Sequence, residues 1–265
     1  MAIANALAFL LYLSSSAILI RRFVQKSQSA VKPSVPVGIL IIMALLFHAA
    51  DIFFTMRAAG GWDLGLFSTF SVATWLMALI ALIIGSRMPN SHPGIVVYPL
   101  VALSLMLRVE LPSPQPPSLS DPALEWHVLL SLAAYSLFML AAIQAVVLAI
   151  QEKQLRRHHV AGIIRKLPPL QTMEKGLFQL IITGFALLTI GLITGFMFVD
   201  DLLAQHLVHK TVLSVIAWCV FAALLWGRLR HGWRGKTAVK WTLSGFGFLL
   251  LAYMGSKFVL EYLVN

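Results

Sequence analysis

Eight histidines, at positions 48, 92, 127, 158, 159, 206, 209 and 231, are the side chains here with the widest chemical scope. Imidazole can bind a metal or move a proton near neutral pH. His92, His158, His159 and His231 sit in basic connections between apolar runs and are expected to be solvated. The other four stand apart. His127 opens the run Leu124-Glu-Trp-His-Val-Leu-Leu-Ser-Leu-Ala-Ala-Tyr-Ser-Leu-Phe138, His48 falls inside another apolar run, and His206-x-x-His209 lies in a connection. The last pair has a zinc-like spacing but no compact ligand cluster around it. No nucleophile–base pair, glycine-rich phosphate loop or acidic relay accompanies these residues, so no catalytic residue is assigned. Binding is the chemistry expected.

The elements that must position these residues are read from hydropathy. Of 265 residues 59% are hydrophobic and 11% charged, with a mean hydropathy of +0.86. A soluble domain carries about 25% charged residues, so lipid must be the solvent of this chain. Apolar windows long enough to cross ~30 Å of hydrocarbon fall at 2–20, 36–55, 64–85, 93–109, 124–150, 177–199, 210–227 and 239–262. The fold expected is an all-α, polytopic membrane helix bundle of eight spans. It forms one integral domain over 1–265, with four spans in 1–110 and four in 124–262. The first run is read as a retained helix and not a signal peptide, because no basic residue precedes it and Arg21 and Arg22 follow it. The one cysteine, Cys219, falls in the seventh span and leaves redox compartment unreadable.

The net charge of +10 is distributed by side. Arg21, Arg22, Lys26 and Lys32, then Arg87, then Lys153, Arg156, Arg157, Arg165, Lys166 and Lys175, then Arg228, Arg230, Arg234, Lys236 and Lys240 all fall by the odd-numbered connections. Only Arg57, Arg108, Lys210 and Lys257 fall opposite, together with Asp51, Asp63, Glu110, Asp121, Glu125, Asp200, Asp201 and Glu261. The positive-inside rule puts both termini in the periplasm. The basic loops then serve orientation against anionic lipid, and no nucleic-acid partner is expected.

Local signals refine the spans. The Pro- and Ser-rich stretch 111–122 cannot be helical, and Asp121-Pro122 suits the start of the fifth helix. Pro168-Pro169 breaks the chain before the sixth. Gly191 and Gly195 form a small-xxx-small pair, with Gly184, Gly245 and Gly247 as further points of close helix approach. Asp51 with Arg57, and Lys257 with Glu261, are expected to pair locally.

On this topology His48, His127, His206 and His209 lie toward the outer leaflet. An ionisable group at the depth of His48 is a functional candidate by default. Histidines there, among Trp62, Trp75, Trp126, Trp218 and Tyr135, suit a haem wedged between helices. His127 and His48 are the candidate axial ligands, with Tyr135, Trp126 and Trp218 beside the cofactor. Trp126-His127 also suits an interfacial aromatic belt, with the imidazole facing water. Ser131 and Tyr135 lie at i+4 and i+8 from His127, so that face should look into the bundle.

From the fifth span onward the sequence resembles the cytochrome c assembly family of haem-handling membrane proteins (CcsA, CcmC, CcmF), and most of all its short YpjD/HemX-like branch. The residues that carry this are His127-Val-Leu-Leu-Ser-Leu-Ala-Ala-Tyr135, then Lys210-Thr211 with Ile216-Ala-Trp218, then Gly232-Trp-Arg-Gly235, with Pro168-Pro169-Leu170 and Met173-Glu174 typical of the branch. The likeness covers 124–260, and the first four spans share length and layout only. The resemblance implies haem at the outer face with His127 as one axial ligand. The sequence departs from the family's fuller members. No Trp-rich outer loop appears between Phe196 and Lys210, Trp226 stands where a transmembrane histidine is expected, and no histidine follows the last span before Asn265. His48 is therefore the candidate second ligand, on depth and side alone.

The expected function is haem binding or handling in the bacterial inner membrane by a non-enzymatic assembly factor, among lipid, haem-delivery and cytochrome-assembly partners. The alternatives are an accessory role in magnesium or cobalt homeostasis, with oxygen ligands such as Asp200 and Asp201, and a structural partner of a membrane complex. The charge asymmetry yields a direct test. Reporter fusions after Arg157 and after Lys236 should be active only in their cytoplasmic form, and periplasmic activity at either position overturns the span count.

Overall fold

In lipid every backbone N–H and C=O must find its partner inside the protein, and a chain this apolar meets that demand with helices. The computed structural model describes residues 2–25, 35–87, 93–111, 122–156, 167–198 and 205–258. Helix α1 runs Ala2–Gln25, α2 Val35–Ala59, α3 Leu66–Arg87, α4 Gly94–Glu110, α5 Pro122–Arg156, α6 Leu170–Phe198, α7 Gln205–His231 and α8 Lys236–Leu250. A π-helical turn, Leu251–Gly255, carries α8 into the short α9, Ser256–Phe258. No strand occurs among the described residues.

The chain is a multi-pass membrane protein: seven of its helical stretches are long and apolar enough to cross a bilayer. The exception is α4. Its 17 residues reach about 25 Å at ~1.5 Å per residue. Helices α5, α6 and α7 run past the spans expected from hydropathy, because polar turns such as Gln151–Arg156 stay helical. The early start of α6 follows from Pro169, whose carbonyl accepts from the amides of Thr172 and Met173 at 2.9 and 3.1 Å.

The chain divides into two compact units, one holding α1–α4 and the other α5–α9. In the first, α1 packs on α2 and α4 while α3 packs on the same two, so the four helices close a ring. A glycine ends α2: Gly60 takes φ +71°, and the amide of Gly61 reaches the Met56 carbonyl at 3.1 Å. This is a left-handed helix stop that any Cβ would strain.

The interior of this unit is unusually polar for a membrane bundle. Asp51, 1% exposed, forms an ion pair with Arg108 and accepts from Asn5 Nδ2 at 3.2 Å. Arg108 also donates to Thr55 Oγ1 at 3.0 Å. The expected partner of Asp51, Arg57, instead lies over the Phe53 ring, 5.4 Å from its centroid. Asp51 reaches across the unit to α4 because a buried carboxylate needs a buried cation, and Arg108 supplies it. Thr74 and Ser104 share a 2.7 Å hydrogen bond, and the Trp75 indole donates to the Leu45 carbonyl at 3.0 Å.

In the second unit α5 packs on α6 and α8, and α7 packs on the same two, closing a second ring. Glycines set the closest contact. A Cβ on Gly184 would sit 3.1 Å from the Phe138 ring, one on Gly191 3.4 Å from Ser131 Oγ, and one on Gly195 3.0 Å from His127 Cε1. The three pairs lie at successive levels of antiparallel α5 and α6, so the small-residue pair read from the sequence does bring two backbones together. The Gly232-Trp-Arg-Gly235 turn is also held in place. Gly232 and Gly235 take φ +66° and +57°, and the Gly235 amide donates to Glu174 Oε1 at 2.8 Å. Arg228 donates to the Trp233 carbonyl at 3.1 Å and lies 3.9 Å from Glu174.

The Asp51–Arg108 pair yields a stability test. Replacing one buried partner strands the other charge, at a cost of ~3–5 kcal/mol. Asp51→Leu or Arg108→Met alone should therefore lose most of the monodisperse protein at a temperature the parent survives in detergent. The double replacement should recover most of it. Equal losses in the single and double variants would show that the pair is not energetically coupled.

Candidate functional site

His127 lies on the α5 face that meets the glycines of α6, five residues after Pro122 starts the helix. Its Nδ1 is 3.1 Å from Thr194 Oγ1. The Thr194 hydroxyl in turn donates to the Gly191 carbonyl at 3.0 Å. A hydroxyl has one proton. When the Gly191 carbonyl takes it, Thr194 accepts from the ring and the proton of neutral His127 sits on Nδ1. Nε2 is left carrying the lone pair. A ring nitrogen fixed by an acceptor behind it, with the other nitrogen open, is the usual preparation of a histidine for a metal.

The remaining candidates fall as follows. Ser131 stands one turn below His127, opposite Gly191. Tyr135 is 8% exposed, and its hydroxyl is buried with no hydrogen-bond partner among the described residues. Its ring lies 5.8 Å from that of Phe246 and 6.4 Å from that of Tyr253. Trp218 stacks on Phe185 at 5.4 Å and donates from Nε1 to Thr189 Oγ1 at 2.9 Å. Trp126 is 66% exposed, turned to the outside of its unit, as an interfacial aromatic would be. His209 and His231 are exposed.

His48 belongs to the first unit and is fully enclosed, as an imidazole at its depth must be. Its Nε2 is 2.8 Å from Ser71 Oγ, and Tyr12 meets it edge-on at 5.9 Å. Its Nδ1 is buried without a partner among the described residues. The side chain of His206, together with Asp200, Asp201, His92, His158, His159, Asp121 and Glu261, lies outside the described residues. Among the described residues no group of three or more His, Cys, Asp or Glu could hold a metal ion.

A ring of membrane helices with a histidine held between two of them describes a class, that of helical membrane proteins. Comparison with known proteins narrows it. The model of the family described as "Cytochrome C assembly protein" matches residues 3–264, and the chain belongs to that family. The match takes in the first four helices as well, beyond the 124–260 that the sequence motifs cover. The chain is 30% identical to the "Inner membrane protein YpjD" of Escherichia coli strain K12 over 256 residues, 96% of both chains. It is 24% identical to the "Cytochrome c biogenesis protein CcsA" of Prochlorococcus marinus strain MIT 9515, over 91% of this chain and 85% of that one. No solved structure matches.

The residue that sequence reading passed over is Thr194, the partner of His127 Nδ1; Gly195 was read for packing alone, without the room it gives the His127 ring. The signal was present, since Thr194 lies within the Gly191-x-x-x-Gly195 pair, but spacing alone speaks only of packing. The assignment is open to nitrogen NMR on histidine-labelled protein. His127 should be protonated at Nδ1, and Thr194→Val, which removes the hydroxyl acceptor, should raise the Nε2–H population while Thr194→Ser leaves it low. Identical tautomer signals in the parent and Thr194→Val overturn the assignment.

Proposed function

We propose that this chain is an inner-membrane haem-handling protein in which His127 Nε2 ligates haem iron near the periplasmic face. The observation that carries the reading is the hydrogen-bond relay from His127 Nδ1 through Thr194 to the Gly191 carbonyl, which leaves a lone pair on Nε2. Iron in haem takes such a nitrogen as axial ligand, and apolar helix faces cover the porphyrin. The residues present fit the group: an oriented imidazole, the aromatic rings of Tyr135 and Trp218 in the same unit, and a buried Tyr135 hydroxyl still without an acceptor among the described residues. Trp126, at the start of α5, is a further flank at the lipid boundary.

Bound haem would supply coordination chemistry, while the chain's part is to hold and orient it. The reading rests on His127, while His48 is enclosed within the first unit, its Nε2 at Ser71 Oγ. All eight helices, α4 included, cross the membrane in this proposal, with both termini periplasmic, as the charge distribution argues. The family and the names of its relatives support a client among cytochrome-assembly proteins.

The test is the visible spectrum of the purified protein. His127→Ala should lower co-purified haem several-fold, and added imidazole should restore part of the spectrum by filling the vacated axial position. His231→Ala, in the basic end of α7, should match the parent. Equal haem in the parent and His127→Ala, or none in either, returns His127 to the role of a helix-end residue.

A further inference from the structure

Ligation of iron by His127 makes no use of the first unit, yet polar atoms are left open inside it. His48 on α2 and Tyr12 on α1 are both 0% exposed, and their rings meet edge to face with centroids 5.9 Å apart and planes at 83°. Tyr98 of α4 stacks on Tyr12 at 5.8 Å, and Ser71 of α3 sits 2.8 Å from His48 Nε2, so all four helices of the ring contribute. The Nδ1 of His48 and the hydroxyl of Tyr12 are buried without a hydrogen-bond partner among the described residues. Ser15 Oγ, one turn further along α1, is left open in the same way.

Buried polar atoms nearly always have a partner, and surrounding lipid supplies none. Packing does not account for the Tyr12 hydroxyl, because both of its ring contacts would serve a phenylalanine equally well. The state of His48 follows from Ser71. If the serine donates to Nε2, the ring proton sits on Nδ1; if it accepts, Nδ1 carries the lone pair. Either way Nδ1 faces the core with a donor or an acceptor unused. What satisfies it must be able to play both parts and must be small, since His48, Tyr12 and Ser71 are all sealed from the surface. A metal ion does not suit the place, as no group of metal-ligating side chains gathers among the described residues. Water meets every one of these conditions, and buried waters in proteins are held by otherwise unsatisfied groups of this kind.

We propose that the first unit holds an internal water site between α1 and α2, with water hydrogen-bonded to His48 Nδ1 and Tyr12 Oη. Ionisable residues within membrane bundles commonly face such water. Its presence gives a proton a way on and off an imidazole that the helices otherwise close off. The site is independent of haem and stands or falls without it.

The experiment uses the full chain with nitrogen-labelled histidine in phosphatidylcholine nanodiscs. Magnetisation transferred selectively from water should reach the His48 ring, assigned through its contact with Tyr12. In thermal unfolding, Tyr12→Phe should lower the midpoint by about 2–4 °C, as loss of one hydrogen bond does in a chain of this size. The shift should shrink in a His48→Gln background, where the amide can still meet Ser71 but nothing stands in the place of Nδ1. A midpoint raised by Tyr12→Phe overturns the site, because a dry hydroxyl is better removed. Equal losses in the two backgrounds overturn it too, since the two atoms then share no water. Coupled losses without transfer from water mean that Tyr12 bonds His48 directly, and the water site is again overturned. If His48→Gln does not fold, the transfer to His48 and the sign of the Tyr12→Phe shift decide the matter.

Discussion

Helices in lipid gain little from burying apolar side chains against each other, because the acyl chains around them are just as apolar. Association must come from close backbone approach and from polar contacts that lipid cannot offer. The contact between α5 and α6 illustrates the first route. Gly184, Gly191 and Gly195 each face a side chain of α5; a Cβ at 184 or 195 would crowd Phe138 or His127, and one at 191 would just touch Ser131. Only at that separation can Thr194 Oγ1 sit 3.1 Å from His127 Nδ1. The same use of space recurs a turn and a half lower, where Thr189 donates to the Phe185 carbonyl and accepts from Trp218 of α7. In both places a threonine gives its proton to its own helix and offers its oxygen to a neighbour's ring N–H. The candidate site is a consequence of helix packing, and loops add nothing to it among the described residues.

The first unit takes the second route. Its four helices are joined inside by Asp51, Arg108, Asn5, His48 and Ser71, all deep in the bundle. Such an interior is costly to assemble and leaves some groups unsatisfied among the described residues, as His48 Nδ1, Tyr12 Oη and Ser15 Oγ are. What it gains is specificity. Each polar group fits one partner geometry, so register errors are penalised heavily in a medium that offers no substitute hydrogen bonds. Glycine contacts are cheaper and more permissive, so the second unit needs another restraint. It has one at the basic end, where Glu174, Arg228 and the Gly232–Gly235 turn tie α6, α7 and α8 together.

Much of this is legible in the sequence. Hydropathy places the helices, because lipid enforces both their length and their composition. The offset of 127, 131 and 135 points one face of α5 inward, and Ser131 and Tyr135 bear that out. The spacing of Gly191 and Gly195 announces close packing. Partner choice is less legible. Asp51 has Arg57 six positions along its own helix, yet it pairs with Arg108 from α4, and nothing in a single sequence ranks a distant cation above a near one. Helix phase is equally hidden. The π-helical turn that holds Tyr253, whose ring lies 6.4 Å from that of Tyr135, leaves no composition signal, since Leu251-Ala-Tyr-Met-Gly255 reads as ordinary helix.

The position of His127 near a helix start would by itself suit a residue that only faces water. Such a residue has no need of a fixed proton, because water satisfies either ring nitrogen equally well. This one is fixed by a threonine whose hydroxyl is committed elsewhere, on a helix whose glycine has been cleared of a side chain to make room for the ring. Ordering the Thr194 side chain costs rotamer freedom, and glycine within a helix costs ~0.5–1 kcal/mol relative to alanine. Neither cost improves the packing, since alanine at 195 would fill space more fully if the imidazole were free to turn away. Both make sense when the orientation of Nε2 is what the arrangement preserves, because a metal ligand must present a lone pair in one direction and keep it there.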